Sequence, residues 1–205
     1  MRVHNRISEA TAYLELLRDS ASTLDCEKID LIAKLLYQAY EQDKTIFLFG
    51  NGGSASLASH FACDLSKGTS DQKSIRRRLR VLAFTDNLPT ITAWANDSSY
   101  DDIFAEQLQP FVRPGDVVVA VSCSGNSQNV LKALRLAKAA GAITIGLGGF
   151  EGGRMKSLCD SCLVVGSDNM QIIEDLHLSI AHCLFTLVRN RIIAQLEAEA
   201  VAASA

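Results

Sequence analysis

At 205 residues and 48% hydrophobic content the chain is long enough for one substantial core and short for two, so a single domain over 1–205 is expected. A net charge of -3 provides no clustered basic field, which argues against nucleic acid and membrane surfaces as partners. The N-terminal stretch MRVHNRISEATAYLELLRDS lacks the apolar centre and small-residue cleavage site of a signal peptide, no later run is expected to reach membrane-span length, and the expected location is cytoplasmic.

Residues 4–22 and 26–43 carry apolar side chains at helical spacing (Ala12, Leu14, Leu16, Leu17; then Ile29, Ile32, Leu35, Leu36, Ala39), which predicts a helical hairpin over 1–43. From 44 to 170 the pattern changes to short apolar runs at 45–50, 79–84, 116–122, 142–147 and 161–166, of the kind that suits strands buried on both faces. Helical patterns such as NVLKALRLAKAAGA (129–142) separate them, so an α/β core with a parallel sheet wrapped by helices is expected. A long helix over about 171–198 closes the chain.

Cys26, Cys63, Cys123, Cys159, Cys162 and Cys183 are too sparse for a disulfide scaffold and read as free thiols. Cys159 and Cys162 have the C-x-x-C spacing, but no second pair completes a zinc site, and they read as small residues at a turn into a strand. The basic stretch 66–80, with Lys67, Lys73, Arg76, Arg77, Arg78 and Arg80, reads either as a solvated loop or as a wall that attracts an anion.

Two loops carry chemistry. FLFGNGGSAS (47–56) leaves the first strand at Gly50 and enters a helix near Ser54, so its amides and the helix dipole face an anion. No Gly-Lys-Ser/Thr follows, which excludes a Walker loop; G-x-G-x-x-A is met by Gly50, Gly52 and Ala55, but the acidic ribose partner of a dinucleotide site is poorly supplied, with Asp86 too far on. VSCSGNSQNV (121–130) repeats the strand-to-helix arrangement with Ser122, Ser124 and Ser127, and a capped turn needs one serine rather than three. Two such loops at the ends of parallel strands fit one small phosphorylated ligand better than a dinucleotide.

His60 and Asp64 lie at i and i+4 on the helix after the first loop and share a face. On the last helix Glu174 and His182 are eight apart, about 80° around the axis, which predicts that they converge. Two histidines and two carboxylates fit a zinc shell, whereas His177 points elsewhere and reads as a core residue.

GNGGSA…HFACDL, TDN, ITAWANDSSYDDIF, RPGDVVVAVSCSGNSQNVLKAL, GGRMKSLCD and IIEDLHLSIAHCL resemble, in order and spacing, the phosphoheptose isomerase group of the sugar isomerase (SIS) domain proteins over roughly residues 30–190. The resemblance implies a five-stranded parallel sheet flanked by helices in a flavodoxin-like, doubly wound arrangement. It also implies a homotetramer and conversion of sedoheptulose 7-phosphate to D-glycero-D-manno-heptose 7-phosphate for lipopolysaccharide or capsule. By the same resemblance Asn51, Gly52, Gly53 and Ser54 approach the sugar phosphate, Thr85 and Asp86 line its hydroxyls, and Ser122, Cys123, Ser124 and Ser127 hold the phosphate. One divalent ion per subunit, zinc, is implied at His60, Asp64, Glu174 and His182, with Asp64, Glu174 and His182 serving the chemistry and Asp64 and Glu174 also meeting the substrate.

The sequence departs from that group at three positions: Asp64 stands for a Glu, Glu174 for a Gln, and Cys123 for a Thr. Glu174 is therefore expected either to bind the metal more strongly or to act as the base. Other readings are a non-catalytic adaptor of the type that binds the replication initiator, which lacks the second metal-site histidine, and a sugar-phosphate sensor, for whose DNA-binding domain there is no room.

Overall fold

The computed structural model describes residues 7–69 and 78–204. Residues 4–6 of the expected first helix and 70–77 of the basic stretch, with Lys73, Arg76 and Arg77, lie outside the described residues.

Runs such as TIFLFG and VVVAVS have no polar face to offer water, so they are stable as strands only where both sides are covered. The strands β1 (Thr45–Gly50) and β3 (Val117–Ser122) are buried at every position. With β2 (Arg80–Ala83), β4 (Ile143–Gly149) and β5 (Ser161–Val165) they form a five-stranded parallel sheet in the order β2-β1-β3-β4-β5. Alternate residues point to opposite faces, which produces two cores. Ile46 and Leu48 join one with α2 (Cys26–Glu41), α3 (Gly53–Gly68) and α8 (Met170–Ser204). Phe47 and Phe49 join the other with α5 (Ala105–Leu108), α6 (Gln128–Ala139) and α7 (Met155–Leu158). The sheet is thus covered on both faces, as expected for a doubly wound fold.

The structure corrects two expectations. β2 is an edge strand rather than one buried on both faces, and Leu82 on it is 46% exposed. The α8 helix is, by length and composition, long and apolar enough to cross a membrane, contrary to the sequence reading. Its Ile172, Ile173, Leu176, Ile180, Leu184, Val188 and Ile192 nevertheless form a stripe of helical period buried in the first core. Between β2 and β3 the chain also forms α4 (Leu88–Asp97), capped by the Asn87 carboxamide on Thr90 N–H, and a 3₁₀ turn at Tyr100–Asp102.

The N-terminal helix α1 (Ala10–Ser22) has no buried residue. Tyr13, Leu16 and Leu17 lean on the first core, while Leu14 is 61% exposed. Tyr13 O–H donates to Asp175 Oδ2 at 2.5 Å, and that hydrogen bond to a carboxylate pushes the phenol pKa up to about 12.

His177, expected in the core, is buried, with Nε2 at 2.8 Å from the Gly148 carbonyl, and burial holds its pKa below the usual imidazole value. Cys159 ends α7 and Cys162 lies in β5, and all six cysteines are free thiols.

Candidate active site

The strand order reverses between β1 and β3, so the loops that follow these strands lead to helices on opposite faces and open a crevice at the strands' carboxyl ends. The register Gly50↔Val121 brings both strands to an end at one level. A cleft of about 320 Å³ lies there, lined by Asn51, Gly52, Gly53 and Ser54 from the first loop, Ser122, Cys123, Ser124 and Ser127 from the second, and Glu174 from α8.

The first loop turns into α3 through Gly52, whose φ of 56° favours glycine. The first-turn amides of Gly53 and Ser54 have no intrahelical acceptor and carry the positive end of the helix dipole. In the second loop Ser127 occupies the N-cap of α6, yet its hydroxyl makes no capping hydrogen bond and instead faces the Ser122 hydroxyl at 3.5 Å. A serine at an N-cap that does not cap is available to a ligand. Gly125, with φ of 61°, lets the loop pack against the segment after β4, where any Cβ would run into the Gly152 carbonyl oxygen. The Met155 N–H donates to Gly125 O and the Gly149 N–H to Cys123 O, both at 2.9 Å, so the loop is braced from behind. Burial pushes the Cys123 thiol pKa up, which leaves it a neutral, weak donor 3.9 Å from Ser54 Oγ.

Of the four expected metal ligands, the structure gathers three. The His60 and His182 Nε2 atoms stand 2.9 Å apart, and Asp64 Oδ2 is 3.3 Å from the first and 3.8 Å from the second. All three donor atoms lie within 4.8 Å of one another. Tetrahedral coordination at zinc bond lengths needs donor separations of about 3.3 Å, and two imidazoles with a carboxylate suit a borderline-soft divalent ion, so these residues fit a metal.

Glu174 does not join that group. The expected convergence considered the angle around α8 and not the rise, which over eight residues is about 12 Å. The Glu174 carboxylate instead lies over Gly53, where a Cβ would be 2.5 Å from its Oε1, and so it forms a wall of the cleft. Thr85 and Asp86 are held by Ser59 on α3, with Ser59 Oγ 2.8 Å from Thr85 Oγ1 and also donating to Asp86 Oδ1. Asp86 and Ser59 line a neighbouring groove between α3 and β2. The sequence reading missed Ser59, because a serine inside a helix carries no signal of its own. It equally missed Asn129, a buried residue on the first turn of α6.

Residues 10–149 match the SIS domain. The phosphoheptose isomerase of Helicobacter pylori is 39% identical over 176 residues, covering 86% of this chain and 90% of its own length. That of Aliarcobacter butzleri is 36% identical over 186 residues, covering 91% and 96%. The solved structure of the Neisseria gonorrhoeae phosphoheptose isomerase superposes with a TM-score of 0.81 at 29% identity, covering 88% of this chain and 96% of that one. On its fold, its motifs and these relatives, the chain belongs to the phosphoheptose isomerase group of the SIS domain family.

Proposed function

We propose that the protein is a ketose–aldose isomerase that interconverts sedoheptulose 7-phosphate and D-glycero-D-manno-heptose 7-phosphate, as a step in making heptose for lipopolysaccharide or capsule. The observation that carries this reading is one cleft that combines two hydroxyl- and amide-rich loops with a carboxylate that has no ion pair among the described residues, close to a two-histidine, one-carboxylate group on the same pair of helices.

The reaction moves a proton between adjacent carbons through an enediol, so it needs a base at carbon, a proton donor at oxygen and charge stabilisation. Ser122, Ser124 and Ser127, with the backbone amides around Cys123 and Gly53, hold the phosphate, while Asn51 and Ser54 complete the cradle. Glu174 is the base, since its carboxylate faces the cleft and is not gathered with His60, Asp64 and His182. Thr85 and Asp86, oriented by Ser59, meet sugar hydroxyls. A divalent ion, zinc on the character of the donors, would be held by His60, Asp64 and His182 and would supply Lewis-acid stabilisation to the substrate oxygens. Asp64 and His182 are the residues we assign to proton exchange on oxygen.

Incubation with a panel of ketose phosphates, with aldose formation followed, tests the activity. Ser124→Ala and Ser127→Ala each remove a hydrogen bond to a charged group, about 1.5 to 3 kcal/mol, and KM for the phosphorylated ketose should rise about 10- to 150-fold with kcat less affected. Unchanged kinetics in both variants would remove the phosphate from this loop, and no turnover of any ketose phosphate would sink the isomerase reading.

A tetramer that works in the cytoplasm goes with this proposal. The support is an amphipathic α1 without a buried residue, the exposed Leu82 and Phe111 beside the sheet edge, and six free thiols. Light scattering at micromolar concentration should return a mass of four chains, and a monomer would contradict it.

A further inference from the structure

Asn129 sits on the first turn of α6 and is 1% exposed, so each polar atom of its carboxamide needs a partner. The Val130 backbone N–H donates to its Oδ1 at 2.9 Å. A backbone N–H can only donate, so this contact fixes which end of the Asn129 amide is oxygen. The Asn129 Nδ2 must then point across the crevice, and it donates to Asn51 Oδ1 at 2.9 Å, while Asn51 Nδ2 donates back to Asn129 Oδ1 at 3.0 Å. The Tyr100 hydroxyl, on the 3₁₀ turn, donates to the same Asn51 Oδ1 at 3.0 Å.

The consequence lies in what Asn51 has left. Its carbonyl oxygen accepts two hydrogen bonds and has no lone pair to spare, and one of its amide hydrogens is committed to Asn129. One N–H remains, on a residue that lines the cleft. We propose that Asn129 is a positioning residue that locks Asn51 as an obligate hydrogen-bond donor toward a substrate oxygen, with Tyr100 as the second lock. Asn51 then recognises an acceptor oxygen of a sugar phosphate and rejects a donor at that point. This rests on the isomerase proposal for the identity of the substrate, but the lock itself depends only on the hydrogen bonds between the two loops.

The isosteric Asn129→Asp keeps an acceptor for Val130 and for Asn51 N–H but has nothing to donate to Asn51 Oδ1. Two acceptors then face Asn51, so its carbonyl oxygen loses the donor that fixed it and the amide is no longer held with its N–H toward the ligand. Calorimetry with sedoheptulose 7-phosphate should show Kd rising about 10- to 100-fold, the range for losing a hydrogen bond to a charged or strongly polarised oxygen. Tyr100→Phe, at an exposed position, should raise Kd about 3-fold. In an Asn51→Ala background neither change should add more than about 2-fold, because both act through Asn51. A merely structural role for Asn129 predicts additive losses there, and additive losses, or wild-type Kd in Asn129→Asp, would overturn the proposal. If circular dichroism shows that Asn129→Asp does not fold, the Tyr100→Phe and Asn51→Ala cycle decides alone. Wild-type protein that binds the sugar phosphate without turning it over would remove the isomerase reading and leave this binding cycle intact.

Discussion

Exchanging Glu174 for glutamine is expected to lower turnover about 10²- to 10⁴-fold, the usual contribution of a general base, with metal content unchanged. The two side chains are nearly isosteric, so the cleft wall over Gly53 keeps its shape and only the ability to accept a proton is lost. The expectation follows from placement: the carboxylate lines the cleft that holds the serine loop and is not gathered with His60, Asp64 and His182. If Glu174 is not the base, Asp64 is the alternative. Metal analysis beside single-turnover kinetics separates the two. Weakened metal binding with turnover restored at saturating zinc would make Glu174 a ligand and transfer the base role to Asp64.

The second large effect is expected at His60. Removing one donor of three in His60→Ala leaves an imidazole and a carboxylate, too few to hold a divalent ion against water, and metal affinity should fall by at least about 100-fold. Protein purified without chelator should contain a divalent ion in the wild type and none in the variant, as read by elemental analysis, with turnover lost in parallel. His60 is exposed and lies off the buried stripe of Leu57, Ala58, Phe61, Ala62 and Leu65, so the fold should be unaffected. Wild-type protein that is metal-free and fully active would show that the three residues act in proton transfer only.

The sequence was informative where one local signal decides a structure. Apolar runs without a polar face placed all five strands to within a residue or two, and two loops rich in glycine and serine placed the cleft. His60 and Asp64 were legible together because four residues on a helix differ by only about 6 Å in height. Glu174 and His182 were not, because an angle was read without the rise that accompanies it. β2 resembles a central strand in composition, and only the pairing order reveals it as an edge. Asn129 was illegible for a different reason: its role lies in which way an amide faces, and that is set by a neighbour's N–H and by Asn51, 78 residues away.

The pairing order also has a bearing on how the protein comes into being. β1 pairs with β3, and the cleft is lined by residues 51–54 and 122–127 and by Glu174, so the binding site spans more than half of the chain. Parallel pairing of this kind closes a long loop before any contact rewards it, and it is slow relative to helix formation. A nascent or truncated chain that ends before Ser122 holds only the first loop of the cradle, and it lacks α8, on which α1 and α2 pack. Capture of the sugar phosphate therefore reports that the sheet has been assembled in its correct order, and the ligand, by binding only that state, stabilises late native structure rather than an early intermediate.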